Sequence, residues 1–117
     1  MSHEAYAKAQ NSNPRTVEYR AFAKATRALL DIAETGNEDI KTLVEAVHVN
    51  RSLWGALASD CSNDDNLLPV ETRASIIALS RWVSSYSSEV VRKKESIDPL
   101  IDVNRIMMDG LAGKTES

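Results

Sequence analysis

Three prolines, Pro14, Pro69 and Pro99, punctuate the chain, and each opens a segment with apolar residues at helical spacing. Proline suits the first helical turn, where its missing N–H has no intrahelical partner to lose. The three prolines therefore mark helix starts. Asn13 and Asp98 precede Pro14 and Pro99, where a side-chain oxygen can accept from the free N–H groups of the first turn. Leu68, before Pro69, has no such oxygen, so that start needs an upstream cap or water.

These signals predict an all-α fold of four main helices. The first runs from Pro14 to near Thr35, with Gly36 placed for the left-handed turn that ends a helix. Asn37 is the expected cap of the second, which runs to about Cys61. Ser62-Asn63-Asp64-Asp65-Asn66 is a polar connector. The third spans Pro69 to about Lys94, and the fourth Pro99 to about Leu111. Glu4 to Gln10 is a candidate short helix ahead of these. The tail from Gly113 is expected to be disordered.

Each segment carries one apolar stripe when projected at the helical period. The stripes are Tyr19, Phe22, Thr26, Leu29, Leu30 and Ala33; then Ile40, Leu43, Val44, Val47, Trp54, Leu57, Ala58 and Cys61; then Ile76, Leu79, Val83, Tyr86 and Val90; then Leu100, Met107, Met108 and Leu111. Each stripe must be covered, and a small bundle with antiparallel neighbours covers all four. With 117 residues the chain forms one domain over 1–117, with 1–12 and 112–117 expected to be flexible. That length buries enough surface to fold without a disulfide or a metal.

Composition narrows the function classes. No apolar run approaches the ~18 residues of a membrane span. No secretory signal pattern opens the sequence. The net charge of -3 argues against a general nucleic-acid binder, which needs a basic face for phosphates. Cys61 is the single cysteine, which fits a reducing cytoplasm. Arg92-Lys93-Lys94 is a basic run, but at a helix end it complements the helix dipole.

No catalytic, cofactor-binding or metal-ligating set emerges. His3 and His48 are the only histidines, and neither belongs to the set of several ligands that a metal site needs. Asp64-Asp65-Asn66 lacks the alternation, the Gly and the distal Glu of a calcium loop. Phosphate-loop and nucleophile-elbow motifs are missing from the sequence. Cys61 reads as a small core residue.

Two features fall outside this plain picture. Val49-Asn50-Arg51 is echoed by Val103-Asn104-Arg105, with a leucine six positions after each arginine. Asn104 falls near the centre of its stripe and Asn50 at the flank of its own. Either they are two satisfied structural amides that fix helix register, or they clamp a ligand backbone. Second, Val49, Leu53, Trp82, Val103 and Ile106 lie off their stripes. They either widen the core or form a groove for an amphipathic partner helix.

In order along the chain stand Ala5-Tyr6-Ala7-Lys8-Ala9-Gln10, Asn13-Pro14-Arg15, Glu18-Tyr19-Arg20-Ala21-Phe22 and Thr26-Arg27-Ala28-Leu29. Then follow Asn50-Arg51-Ser52-Leu53-Trp54, Leu67-Leu68-Pro69-Val70-Glu71-Thr72-Arg73, Leu100-Ile101-Asp102-Val103-Asn104-Arg105 and Gly110-Leu111. In these motifs and their order the chain resembles the FlaF family of flagellar biosynthesis regulators of alphaproteobacteria. The turn Ile106-Met107-Met108 is more apolar than the family pattern.

The resemblance implies a cytoplasmic, non-enzymatic protein of flagellum assembly that needs no cofactor. Its implied partner is flagellin, whose synthesis and secretion such proteins support, alongside the regulator FlbT. The alternative is a post-transcriptional regulator of flagellin translation that works with FlbT through protein or RNA contacts. The candidate partner-binding residues are Asn50, Arg51, Leu53, Trp54, Trp82, Val103, Asn104, Arg105 and Ile106. Leu53, Trp54, Trp82, Val103 and Ile106 would build or support an apolar groove with the two asparagines, and Arg51 and Arg105 would stand on its rim.

Overall fold

The computed structural model describes residues 14–35 and 39–111. Four helices carry the fold: α1 (Pro14–Thr35), α2 (Ile40–Cys61), α3 (Val70–Lys93) and α4 (Asp98–Leu111). Among the described residues there is no strand. The candidate helix at Glu4–Gln10, the Asn13 cap, Gly36, Asn37 and the tail beyond Leu111 lie outside the described residues.

The helix starts correct the expected caps. Asp39, not Asn37, caps α2, and its carboxylate accepts from the backbone N–H of Lys41 at 3.1 Å and from the Thr42 hydroxyl at 2.9 Å. Pro69 is the cap position of α3 rather than its first residue. Its extended backbone leaves the carbonyl free to accept from Arg73 N–H at 3.0 Å. Asp98 is already inside α4. The first carbonyl of that helix belongs to Ile97, and Ser96 Oγ accepts from Asp98 N–H at 3.1 Å. Asp98 then complements the helix dipole from within the first turn. Lys94 ends α3 in the left-handed conformation, with φ 57°.

Cross-contacts fix the topology. Arg73 reaches the Cys61 carbonyl, Ser80 reaches that of Trp54, and Arg51 reaches that of Ser84, so α2 and α3 run antiparallel. Thr26 meets Asn104 and Met108, while Ile32 and Ile97 line one cleft at the opposite end. Helices α1 and α4 are therefore antiparallel too. The result is an up-down-up-down bundle in which α2 and α4 stand on a diagonal. Three sides of the ring are closely packed. The fourth, between α3 and α4, is slight, because α4 leans on α1 instead.

The core is built from Phe22, Leu29, Val47, Trp54, Val83, Val90 and Leu100, all almost fully buried. Phe22 and Trp54 meet edge to face, with centroids 5.3 Å apart and planes at 84°. Truncating either ring to alanine would cost about 3–5 kcal/mol. Some expected core positions are displaced. Ala33, Ile40 and Val44 are exposed, while Ala25, Ile32 and Ala46 are buried. A real helix drifts against a coarse projection, and over 22 residues the buried face rotates enough to exchange edge positions.

Candidate functional site

Trp54 anchors a polar network in the middle of the core. Its indole Nε1–H donates to Asn104 Oδ1 at 2.8 Å. Asn104 Nδ2 donates to Asn50 Oδ1 at 2.7 Å and to Thr26 Oγ1 at 3.0 Å. Thr26 in turn donates to the Phe22 carbonyl at 2.6 Å. Asn50, Trp54 and Asn104 have no exposed surface, so they line no groove. Asn50 is not at the flank of its helix, as the projection placed it, but in the centre of the bundle. The two asparagines of the internal echo meet each other directly. Asn50 Nδ2 and Ser87 Oγ are buried without a hydrogen-bond partner among the described residues.

Arg51 does not stand free on a rim. Its guanidinium donates to the Ser84 carbonyl at 2.7 Å and to Ser88 Oγ at 2.6 Å, clamping α2 to α3. Arg105 is exposed on α4.

The contacts of α3 decide where its off-stripe residues point. Ser80, Ser84 and Ser88 face α2, as their bonds to Trp54 and Arg51 show. By the helical period, Leu79, Trp82 and Tyr86 lie on the other flank, toward α4. Trp82 is 37% exposed and stacks on Tyr86, with centroids 5.0 Å apart and planes at 10°. Tyr86 donates its hydroxyl to the Ser96 carbonyl at 2.7 Å, which ties the pair to the start of α4. On α4, Asn104 faces the core and Met108 faces α1, so Val103 lies on the flank toward α3. Val103 is half-buried, and Ile106, one turn on and 64% exposed, stands outward from it.

The loosely closed side of the bundle is thus an aromatic and aliphatic seam. Trp82 and Tyr86 form one wall, Val103 the other, and Ile106 the outer lip. The structure brings Trp82 and Val103 to this seam and leaves Leu53 out of it. Leu53 lies on the flank of α2 opposite Arg51, toward α1, and packs against the core. Tyr86 was missed as a site residue because it also belongs to the core stripe. Its i,i+4 spacing from Trp82 is the signal that links the two.

Cys61 and Tyr86 have shifted acidity. Burial pushes the Cys61 thiol up, Asp60 adds to the shift, and Arg73 opposes it. Tyr86 is raised by burial first, then by Glu95, Glu89 and Asp98. Among the described residues no group of three or more His, Cys, Asp or Glu side chains could hold a metal. His48 is exposed on α2. The Asp64–Asn66 segment is a turn in which Asn63 Oδ1 accepts from Asp65 N–H at 2.9 Å and Asn66 Nδ2 donates to Asp60 Oδ2 at 3.1 Å. No described helix is long and apolar enough to cross a membrane.

A family model described as flagellar protein FlaF matches residues 2–111. The chain belongs to the FlaF family. Membership makes it a flagellar-related protein, and the match takes in both the amide network and the α3–α4 seam of this family member. Neither a curated protein nor a solved structure matches the chain.

Proposed function

We propose that this FlaF-family chain is a flagellum assembly factor of the cytoplasm that binds flagellin and supports its synthesis and export. It works by binding rather than catalysis. The observation that carries the reading is the Trp82–Tyr86 stack at the seam between α3 and α4. A partly exposed tryptophan beside a loosely closed helix pair is an anchor for an amphipathic segment. An unassembled subunit with apolar helical ends needs such a cover until export. Val103 and Ile106 extend the apolar strip, while Arg105 is exposed on the opposite flank of α4 from Val103.

Release at export calls for moderate affinity, and a narrow seam supplies less buried area than a permanent interface. The buried network of Asn50, Trp54 and Asn104 has a supporting role, since it fixes the position of α4 and hence the width of the seam. FlbT, the implied co-regulator, would act on the same pathway.

Co-purification with flagellin tests the reading. The full chain should retain purified flagellin, and should lose it when one of flagellin's two terminal segments is removed. Retention of flagellin messenger RNA without flagellin would instead favour the translational regulator, and a steep loss with added salt would mark a phosphate contact.

A further inference from the structure

The cleft between α2 and α3 gathers positive charge in a chain whose net charge is -3. It holds about 210 Å³, with Val44, Val47 and Val91 as apolar walls and His48, Arg51 and Arg92 as its basic groups. Among the described residues no carboxylate lines it. The acids closest in sequence are placed elsewhere: Glu45 lines the cleft between α1 and α2, and Glu89 pairs with Lys93 at 3.7 Å. Arg51 is half-buried, and its Nη2 is held by the Ser84 carbonyl and Ser88 Oγ. Its Nε–H is buried without a partner among the described residues. Neither Arg51 nor Arg92 forms an ion pair among those residues. A partly buried guanidinium without a counter-charge is costly, and an incoming carboxylate offsets that cost.

We propose that this cleft binds a side-chain carboxylate of a second polypeptide, presented by an amphipathic helical segment that also covers Ile40 and Val44. Two observations select this occupant. The first is charge. The guanidinium fork and the imidazole N–H match a carboxylate. A phosphate seeks the free N–H groups of a helix N-terminus, whereas this cleft lies along the middle of α2 and the last turns of α3. The second is the shape of the apolar surface. Ile40, Val44 and His48 follow at i, i+4 and i+8, so one flank of α2 carries a strip about 12 Å long that ends at the basic cleft. Ile40 is 53% exposed and Val44 40%. A free small acid would fill the cleft and leave that strip bare, while a helix with an apolar residue one turn from its acid covers both. The site is on the flank of α3 opposite the Trp82–Tyr86 stack, and the inference is independent of flagellin binding at the α3–α4 seam.

The test uses the full chain and a synthetic helical peptide with leucine and, four residues on, glutamate on one face. In labelled protein, the side-chain N–H resonances of Arg51 and Arg92 should move on titration, while the Trp82 indole resonance stays in place. The same peptide with glutamine for glutamate should bind about tenfold more weakly, because the charge-assisted pair is lost. Arg51→Ala also removes the α2–α3 clamp, so the exposed Val44→Asp and Arg92→Gln carry the test. Each should weaken the glutamate peptide about tenfold with helix content unchanged. Equal affinity for the two peptides would overturn the proposal, as would no shift with the glutamate peptide in large excess. Movement of the Trp82 resonance without the arginine ones would put the peptide at the seam and overturn it too. An oligoribonucleotide that moves the arginine resonances where the peptide does not would make the cleft a phosphate site instead.

Discussion

Asn104 Nδ2 donates to Asn50 Oδ1 at 2.7 Å, and this bond joins α4 to α2 across the diagonal of the bundle. The backbones of those two helices do not approach closely, so the side chains make the link. Asn104 also takes the Trp54 N–H and reaches the Thr26 hydroxyl. One amide on α4 therefore touches both α1 and α2. An apolar core packs in several registers with similar energy, whereas this amide is satisfied in one.

Replacing Asn104 with alanine leaves a cavity and strips partners from Trp54 Nε1 and Asn50. Each buried polar group left unpaired costs about 1–3 kcal/mol. Asn104→Ala should therefore lose about 3–5 kcal/mol in urea unfolding, a large share of a small domain's stability. Asn104→Leu should not restore it, because leucine fills the space but accepts no proton from the indole. A double-mutant cycle with Asn50→Ala should show strong coupling.

Much of this architecture is legible in the residues alone. The prolines mark the starts of α1, α3 and α4 to within a residue, and Phe22, Leu29, Val47, Trp54, Val83 and Val90 read as core from their spacing. The caps were less legible. Asn37 and Asp39 are equally plausible caps by type, and only backbone geometry chooses between them. The echo of Asn50 and Asn104 marked both residues, but contact between residues 54 apart is a tertiary fact. For the same reason nothing in the spacing told Trp82, on the α4 flank, from Leu53, on the α1 flank. Which flank of a helix faces which neighbour depends on the ring order of the bundle.

Gly55 sits inside α2, exposed, and a Cβ added there meets nothing within 4 Å. Glycine in a helix interior costs about 1 kcal/mol against alanine. Gly55→Ala should therefore raise stability by about 0.5–1 kcal/mol, read as a higher urea midpoint at unchanged slope. Flagellin binding should not change, because Gly55 is on α2 and the seam lies between α3 and α4.

Cys61 is fully buried at the end of α2, and burial raises its thiol above the ordinary range. A raised acid keeps its proton longer when folded than when unfolded. The stability it contributes is thus complete below the ordinary thiol range and is lost as pH climbs through the raised value. Tyr86 shifts in the same direction and adds to the effect at higher pH. Unfolding midpoints should therefore fall on the alkaline side, and Cys61→Ala should flatten the first part of that fall. At neutral pH the native thiol should react with iodoacetamide far more slowly than a free cysteine.

Trp82 is the exposed aromatic of the α3–α4 seam. The decisive measurement is the affinity of Trp82→Ala for purified flagellin, taken alongside its thermal unfolding. Binding should weaken at least about tenfold, or 1.4 kcal/mol. Stability should fall by only about 1 kcal/mol, the scale of one surface aromatic stack. Unchanged affinity together with a large drop in unfolding temperature would instead make Trp82 part of the core alone and remove the seam as the flagellin site.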